Sequence, residues 1–308
     1  MSDPPGSAAG LRHVLTLPDG LDLDRTLGLL RYGSGDPAFM RTPEGIWRAS
    51  LTPEGPVSIC ITQRRGDVEV RAWGSGAEWI VANLSAMFGL DDDDSTFRPD
   101  TEPIRDLYRR IGRVHFPRTE LIFESLVPAI LSQKITGKEA FGSWRMLLHK
   151  YGGVAPGPVP DRLRVPPSPA QVRALADWDW HQLGVDRAHR ETIRRAAGAA
   201  NSLDRLTTLP ADEAIAKLMS IRGIGLWTAS EVAQRALGAA DAPSFGDYHV
   251  PSTVGYAFTG EPTDDEGMAR LLAPYRPHRG RVVRLLELAR VGPPRRGPRR
   301  TVPDYRRF

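Results

Sequence analysis

Three groups of residues in this chain combine types and spacings that suit chemistry next to a polyanion. The first is Leu218-Met219-Ser220-Ile221-Arg222-Gly223-Ile224-Gly225-Leu226-Trp227-Thr228-Ala229, which reads as helix, tight turn, helix. Gly223 and Gly225 let the backbone bend sharply and let its N–H groups approach a ligand closely. The turn opens onto a helix N-terminus, where unpaired N–H groups and the positive dipole end favour an anion. The second group, Phe245-Gly246-Asp247-Tyr248-His249-Val250, delivers a carboxylate a short way downstream. Such a carboxylate can stabilise positive charge building on a sugar and orient a water, as in glycoside hydrolysis. Gly-Asp before an apolar segment is also a helix N-cap, and on spacing alone the cap is the stronger reading. The third group is Gln133-Lys134, at the end of Ile130-Leu131-Ser132-Gln133-Lys134-Ile135-Thr136.

These groups must be carried by a folded scaffold, and composition allows one. With 308 residues and 41% hydrophobic content the chain is long and apolar enough for two domains or one large one. Residues up to about 100 read as mixed strands and helices. Strands are expected at 12–17, 46–51, 57–63 and 68–72, and Asp22 is placed to cap a short helix reaching about Arg31. Helical spacing over 78–88 puts Ile80, Val81, Leu84 and Met87 on one side. That order suggests a small antiparallel sheet with helices on one face. From about Pro103 the pattern is helical, with a Pro-rich stretch at 152–169 that reads as a linker between helices. Ile224 is expected to plug the core beneath the turn, and Trp227 can be read as helix core as readily as a contact. Arg279 suits a phosphate or a network of carbonyls equally.

Several classes are excluded or disfavoured. The one cysteine, Cys60, rules out an internal disulfide, a multi-cysteine zinc site and a four-cysteine iron–sulfur cluster. Cys60 sits in an apolar run and is expected to be a small buried hydrophobe. No apolar run approaches the ~20 residues that a bilayer span needs, and residues 1–10 lack a signal-like apolar core. The expected setting is cytoplasmic and nucleoid-associated, with no membrane partner. Net charge is +4 with a pI of about 9.4. Acidic Asp91 to Asp94 contrast with an arginine-rich end (Arg290, Arg295, Arg296, Arg299, Arg300, Arg306, Arg307), which is either a solvated tail or a weak phosphate tracker.

Taken together, the Gly-Ile-Gly-x-Trp-Thr-Ala turn and the Asp247-Tyr248 pair resemble the helix-hairpin-helix DNA glycosylases. Within them the match is to the bacterial 3-methyladenine DNA glycosylase II branch, over roughly 121–288 and more weakly before it. The resemblance implies an α+β N-terminal domain followed by an all-α helix-hairpin-helix DNA glycosylase domain. The expected limits are a flexible start at 1–10, an accessory domain at 11–102, the glycosylase domain at 103–290 and a basic, disordered tail at 291–308. It implies base flipping in duplex DNA and hydrolysis of the N-glycosidic bond of an alkylated base, with Asp247 as the catalytic carboxylate. Arg222, Gly223 and Gly225 would hold phosphate, and the carbonyls of Ile221 and Ile224 could hold a monovalent cation; no other cofactor is required. Trp227 and Tyr248 would line the base pocket, where an aromatic face attracts a cationic purine by ~0.5–2 kcal/mol. Bifunctional members carry at the Trp227 position a lysine that attacks the sugar, so Trp227 implies hydrolysis without strand cleavage. Gln133 and Lys134 would fill the gap left by the flipped base.

The chain departs from that branch in two places. A lysine stands at 134, where an apolar or amide side chain is usual. No aromatic occurs in 282–288, and Glu287 falls about where one would be. Another lesion, such as a deaminated purine, therefore stays open. So does a non-catalytic helix-hairpin-helix protein that grips duplex phosphates. The expected partner is double-stranded DNA with damaged bases, and the expected oligomeric state is a monomer.

Overall fold

The computed structural model describes residues 10–64 and 66–293. The start expected to be flexible and the basic tail therefore lie outside the described residues, apart from Gly10 and 291–293. The N-terminal unit is a five-stranded antiparallel sheet in the order β1-β5-β4-β3-β2. Its strands are β1 (Leu11–Thr16), β2 (Phe39–Thr42), β3 (Gly45–Thr52), β4 (Gly55–Arg64) and β5 (Asp67–Trp73). Four of them match the sequence reading within about two residues. β2 was not anticipated, because four residues are too few for alternation to show. It forms by pairing along β3, with Met40 opposite Trp47.

Both faces of the sheet are covered, so every residue from Val57 to Ile61 of β4 is buried, Ser58 included. Val57, Ile59 and Ile61 pack with Leu27, Ile80 and Leu84 from α1 (Leu23–Gly28), α2 (Ala77–Ala82) and α3 (Leu84–Met87). Asp22 caps α1, accepting the Arg25 N–H at 3.0 Å. The single helix expected over 78–88 breaks at Asn83 into α2 and α3. On the other face Cys60 lies buried with Trp47 and Trp73, whose rings stack at 5.7 Å. Ala155, Leu163 and Val165 close this second core. They come from 152–169, so that segment is no free linker. It lays a ribbon of β6 (Gly153–Val154) and β7 (Arg164–Val165) against the sheet. Its prolines mask the apolar spacing that would have revealed this.

The remaining chain is helical: α4 (Glu102–Ile111), α5 (Ile122–Leu131), α6 (Gly137–Tyr151), α7 (Pro169–Ala174), α8 (Asp177–Gln182), α9 (Arg187–Gly198), α10 (Ala200–Leu203), α11 (Ala211–Met219), α12 (Leu226–Ala236), α13 (Val250–Thr259), α14 (Asp265–Leu272) and α15 (Arg279–Leu288). Its helices gather around two cores. Leu126, Ile130, Trp144, Ile193, Leu218 and Val232 belong to one, built on α5, α6, α9, α11 and α12. Ile104, Val254, Met268, Leu272, Val282 and Leu286 belong to the other, built on α4 and α13–α15. The chain crosses from the first core to the second through 237–249, the segment that carries Asp247.

Buried charge joins the units. Arg281 on α15 is fully buried and donates to both oxygens of Asp92 at 2.8 Å. The Val114 carbonyl also accepts from Arg281. Asp94 pairs with Arg113. The acidic run therefore supplies internal partners. At the sheet, Arg48 pairs with Glu124 of α5, which also accepts the Ser50 hydroxyl. Asp36 accepts the Trp144 indole N–H at 2.9 Å. Burial pushes the Asp36 and Glu124 carboxyls above their ordinary range despite these donors.

Two stability outcomes follow from these pairs. Arg281→Met leaves the Asp92 carboxylate buried without its cation, and the urea-derived unfolding free energy should fall by about 3–5 kcal/mol. Burial also holds the His115 imidazole below its usual pKa, against the pull of Asp92 and Asp94. With the folded pKa depressed, the unfolded chain takes the proton first. The contribution of neutral His115 is therefore present above about 6.5 and lost as pH falls through that value toward the folded pKa. Urea midpoints should drop between pH 7.5 and 5, and His115→Gln should make that drop shallower.

Candidate functional site

The hairpin forms as its residues dictate. α11 ends at Met219, the turn runs through Ser220–Gly225, and α12 starts at Leu226 with Gly225 as its N-cap. Ile224 is 5% exposed and packs in the first helical core. The two glycines serve different ends. Gly223 has φ +99°, and a Cβ there would lie 2.2 Å from the Thr192 hydroxyl of α9, so the fold itself requires glycine. Gly225 has φ −97°, and a Cβ there would meet nothing within 4 Å. Its bareness serves the open side of the turn. Arg222, Gly223 and Gly225 are all exposed there.

Gln133 is turned inward to this hairpin. Its amide nitrogen donates to the Gly223 carbonyl at 3.0 Å and to the Thr228 hydroxyl at 2.8 Å. The His189 ring nitrogen Nε2 meets the Gln133 carbonyl at 2.9 Å. The loop after α5 is thus bolted to the turn. Lys134 beyond it is exposed, with φ +55° in the left-handed region. That conformation costs roughly 1 kcal/mol or more for a residue with a side chain.

Asp247 closes the start of α13 with its side chain, in line with the cap read from the sequence. Its Oδ1 accepts the N–H groups of His249 and Val250 at 2.7 and 3.0 Å, capping α13. Its Oδ2 accepts the indole N–H of Trp227 at 3.0 Å. One oxygen therefore holds the carboxylate to the backbone, and the other faces the first turn of α12. The preceding Gly246 has φ +85°, and its N–H donates to the carboxylate of Asp265 at the start of α14. Trp227 and Asp247 are half-buried. Tyr248 is 90% exposed, with its ring edge-on to His249, so it lines no enclosed pocket here. Glu287 pairs with Arg284 at 3.0 Å and keeps 44% of its side chain exposed.

Several supporting residues escaped the sequence reading. Gln234 donates to the Ala242 carbonyl and the Ser244 hydroxyl, and Glu231 accepts from Ser244. Glu231 lies four residues after Trp227, on the same helical face, so spacing could have revealed it; Ser244 and Asp265 gave no local sign. Arg279, left between two roles, is held by both oxygens and the carbonyl of Asp241. It fixes the loop before Asp247. Among the described residues, no three His, Cys, Asp or Glu side chains gather as a metal site, and no helix is long and apolar enough to cross a membrane.

No protein-family model matches the chain. Over 172 residues it is 32% identical to a Mycobacterium tuberculosis protein described as a probable bifunctional transcriptional activator/DNA repair enzyme AlkA. That match takes in 52% of this chain and 33% of the relative, so it spans about a third of the curated protein's length. Among solved structures, a 3-methyladenine DNA glycosylase from Archaeoglobus fulgidus superposes with a TM-score of 0.76 at 20% identity, over 90% of this chain and 98% of that one. A Clostridium acetobutylicum 8-oxoguanine glycosylase/lyase, in complex with DNA, superposes with a TM-score of 0.68 at 12% identity, over 88% and 92%. The chain has the fold of the helix-hairpin-helix DNA glycosylases, and the resemblance read from its hairpin holds in sequence and in structure.

The two glycines should separate cleanly by thermal and urea unfolding. Gly223→Ala meets Thr192 and a disfavoured φ, and should lose about 1–3 kcal/mol. Gly225→Ala should stay within about 1 kcal/mol of the parent.

Proposed function

We propose that the protein is a monofunctional DNA glycosylase that removes alkylated bases from duplex DNA, with Asp247 as its catalytic carboxylate. The observation that carries this reading is the arrangement of Asp247. It is fixed by three N–H donors, beside an aromatic ring and one helix turn from an open hairpin. Breaking the N-glycosidic bond builds positive charge on the sugar, and a held carboxylate stabilises that charge and orients the attacking water. The bare backbone at Gly225 and the dipole of α12 would take a phosphate. Arg222 adds a cation beside it, and the exposed Lys134 would enter the gap a flipped base leaves. Tyr248, almost wholly exposed, belongs to the surface a duplex would cover.

Trp227 supports hydrolysis over lyase chemistry. An indole has no amine to form a Schiff base, and its N–H is already given to Asp247. Its ring face suits a cationic alkylated purine. A monovalent cation would fit the hairpin carbonyls of Ile221 and Ile224. The Ile221 carbonyl accepts the Ile224 N–H within the turn and keeps a second lone pair. A deaminated purine is the second reading, favoured by the exposed Glu287 at the place where an aromatic side chain would otherwise stand.

The test is base release from duplexes carrying 3-methyladenine, 7-methylguanine, 1,N6-ethenoadenine or hypoxanthine. Wild type should release alkylated purines. Asp247→Asn should lose at least about 10³-fold in rate with lesion-duplex affinity retained, because Asn still caps α13. A fully active Asn variant refutes the assignment. Borohydride should trap no covalent adduct. Gly225→Ala, folded as the parent, should weaken duplex binding irrespective of sequence.

A further inference from the structure

We infer that Glu231 is a positioning residue for Asp247, and that through Arg235 it couples the Asp247 loop to the N-terminal unit. The inference rests on the reading of Asp247 as the catalytic carboxylate. Glu231 lies one turn past Trp227 on α12, and both of its carboxylate oxygens are engaged. Oε1 accepts the Ser244 hydroxyl at 2.5 Å, and Oε2 accepts from Arg235 Nη1 at 2.9 Å. Ser244 is 5% exposed and also accepts from Gln234 at 3.1 Å, so its hydroxyl is used as both donor and acceptor. Its carbonyl in turn accepts the Asp247 N–H at 3.2 Å. A side-chain contact from α12 thereby sets the backbone turn that presents Asp247.

The other end of this chain of contacts lies in the N-terminal unit. Arg235 Nε donates to the Leu29 carbonyl at 3.0 Å, just past α1. The guanidinium stands 5.5 Å from the centre of the Tyr32 ring. Burial pushes the Tyr32 hydroxyl up to about 12, so the ring stays neutral beneath the cation at physiological pH. Arg235 also donates to the Glu231 carbonyl at 2.8 Å, which fixes the guanidinium against its own helix. The sheet unit thus supplies the partners that aim Arg235, and Arg235 fixes the oxygen that Glu231 offers away from Ser244.

An amide cannot replace that carboxylate. Glu231→Gln has one acceptor oxygen where the carboxylate uses two, so its NH₂ faces either the Arg235 guanidinium or the Ser244 hydroxyl, whose O–H then loses its acceptor. Catalytic groups must be held within about 0.5 Å of their productive place, and a displacement near 1 Å costs on the order of 10²-fold.

The test uses the full chain and a 1,N6-ethenoadenine or 3-methyladenine duplex under single-turnover conditions. Glu231→Gln and Ser244→Ala should each lower the rate of base release at least 10-fold, with duplex affinity within about 3-fold of the parent. In an Asp247→Asn background neither should lower the residual rate further, as expected for residues that act through Asp247. An independent readout is the indole ¹⁵N–¹H resonance of Trp227, assigned by its disappearance in Trp227→Phe. It should shift in both variants, because that N–H is bound to Asp247. Should Glu231→Gln fail to fold, Ser244→Ala carries the test. Wild-type rates with an unmoved indole resonance overturn the positioning role and leave the glycosylase reading standing. A further rate loss in the Asp247→Asn background also overturns it, since Glu231 would then act on its own. A wild-type protein that releases no base from any lesion overturns the inference together with the reading it rests on.

Discussion

Charge taken out of water must be paired, and that constraint organises the seams of this molecule. Where the sheet meets the helices, Glu124 accepts from Arg48, Ser50 and the Leu51 N–H. Asp36 accepts two backbone N–H groups and the Trp144 indole. Where the last helix meets the connecting segment, Arg281 fits between Asp92 and the Val114 carbonyl. Each pair has one member from each side of a seam, so neither side can move off without stranding a charge. Docking of the N-terminal unit is thereby made specific, which apolar contact alone would not ensure.

The same economy of donors appears at the candidate site. Asp247 stands where the chain leaves one helical core for the other, and its two oxygens divide the work. One makes the start of α13 possible by accepting N–H groups that have no intrahelical partner. The other is aimed at Trp227. The side chain that closes the start of α13 thus also holds an oxygen against the Trp227 indole. The hairpin shows a similar division between its glycines. Gly223 satisfies the packing of α9 against the turn, and Gly225 leaves the surface bare.

Support for the loop before Asp247 comes from three directions. Gln234 and Glu231 hold it from α12, Asp265 from α14, and Arg279 with Asp241 from the start of α15. A loop held from three elements keeps one geometry without being long-lived secondary structure itself. Lys134, Arg222 and Tyr248 are exposed.

What the sequence determined by itself is what local rules decide. Gly-Ile-Gly between two apolar helical patterns can only be a tight hairpin, and Thr136 with Glu139 starts α6 by a capping box wherever the helix is placed. The strands from 11 to 73 follow from alternation and turn residues, except β2, whose four residues need β3 to exist. Asp247 was legible as a carboxylate after the turn and as a cap for the next helix, which is a local role, yet its bond to the Trp227 indole was not, because that depends on where α12 meets the start of α13. The acidic run at 91–94 showed in the sequence only as a block of charge, and α15 supplies the Arg281 that pairs with Asp92. The Pro-rich segment at 152–169 looked like a linker until the bare face of β4 gave its apolar residues something to cover. Pairing of buried charge and covering of apolar faces are contacts between residues far apart in sequence. Only the tertiary structure could decide them, since no spacing within one segment encodes the segment it will meet.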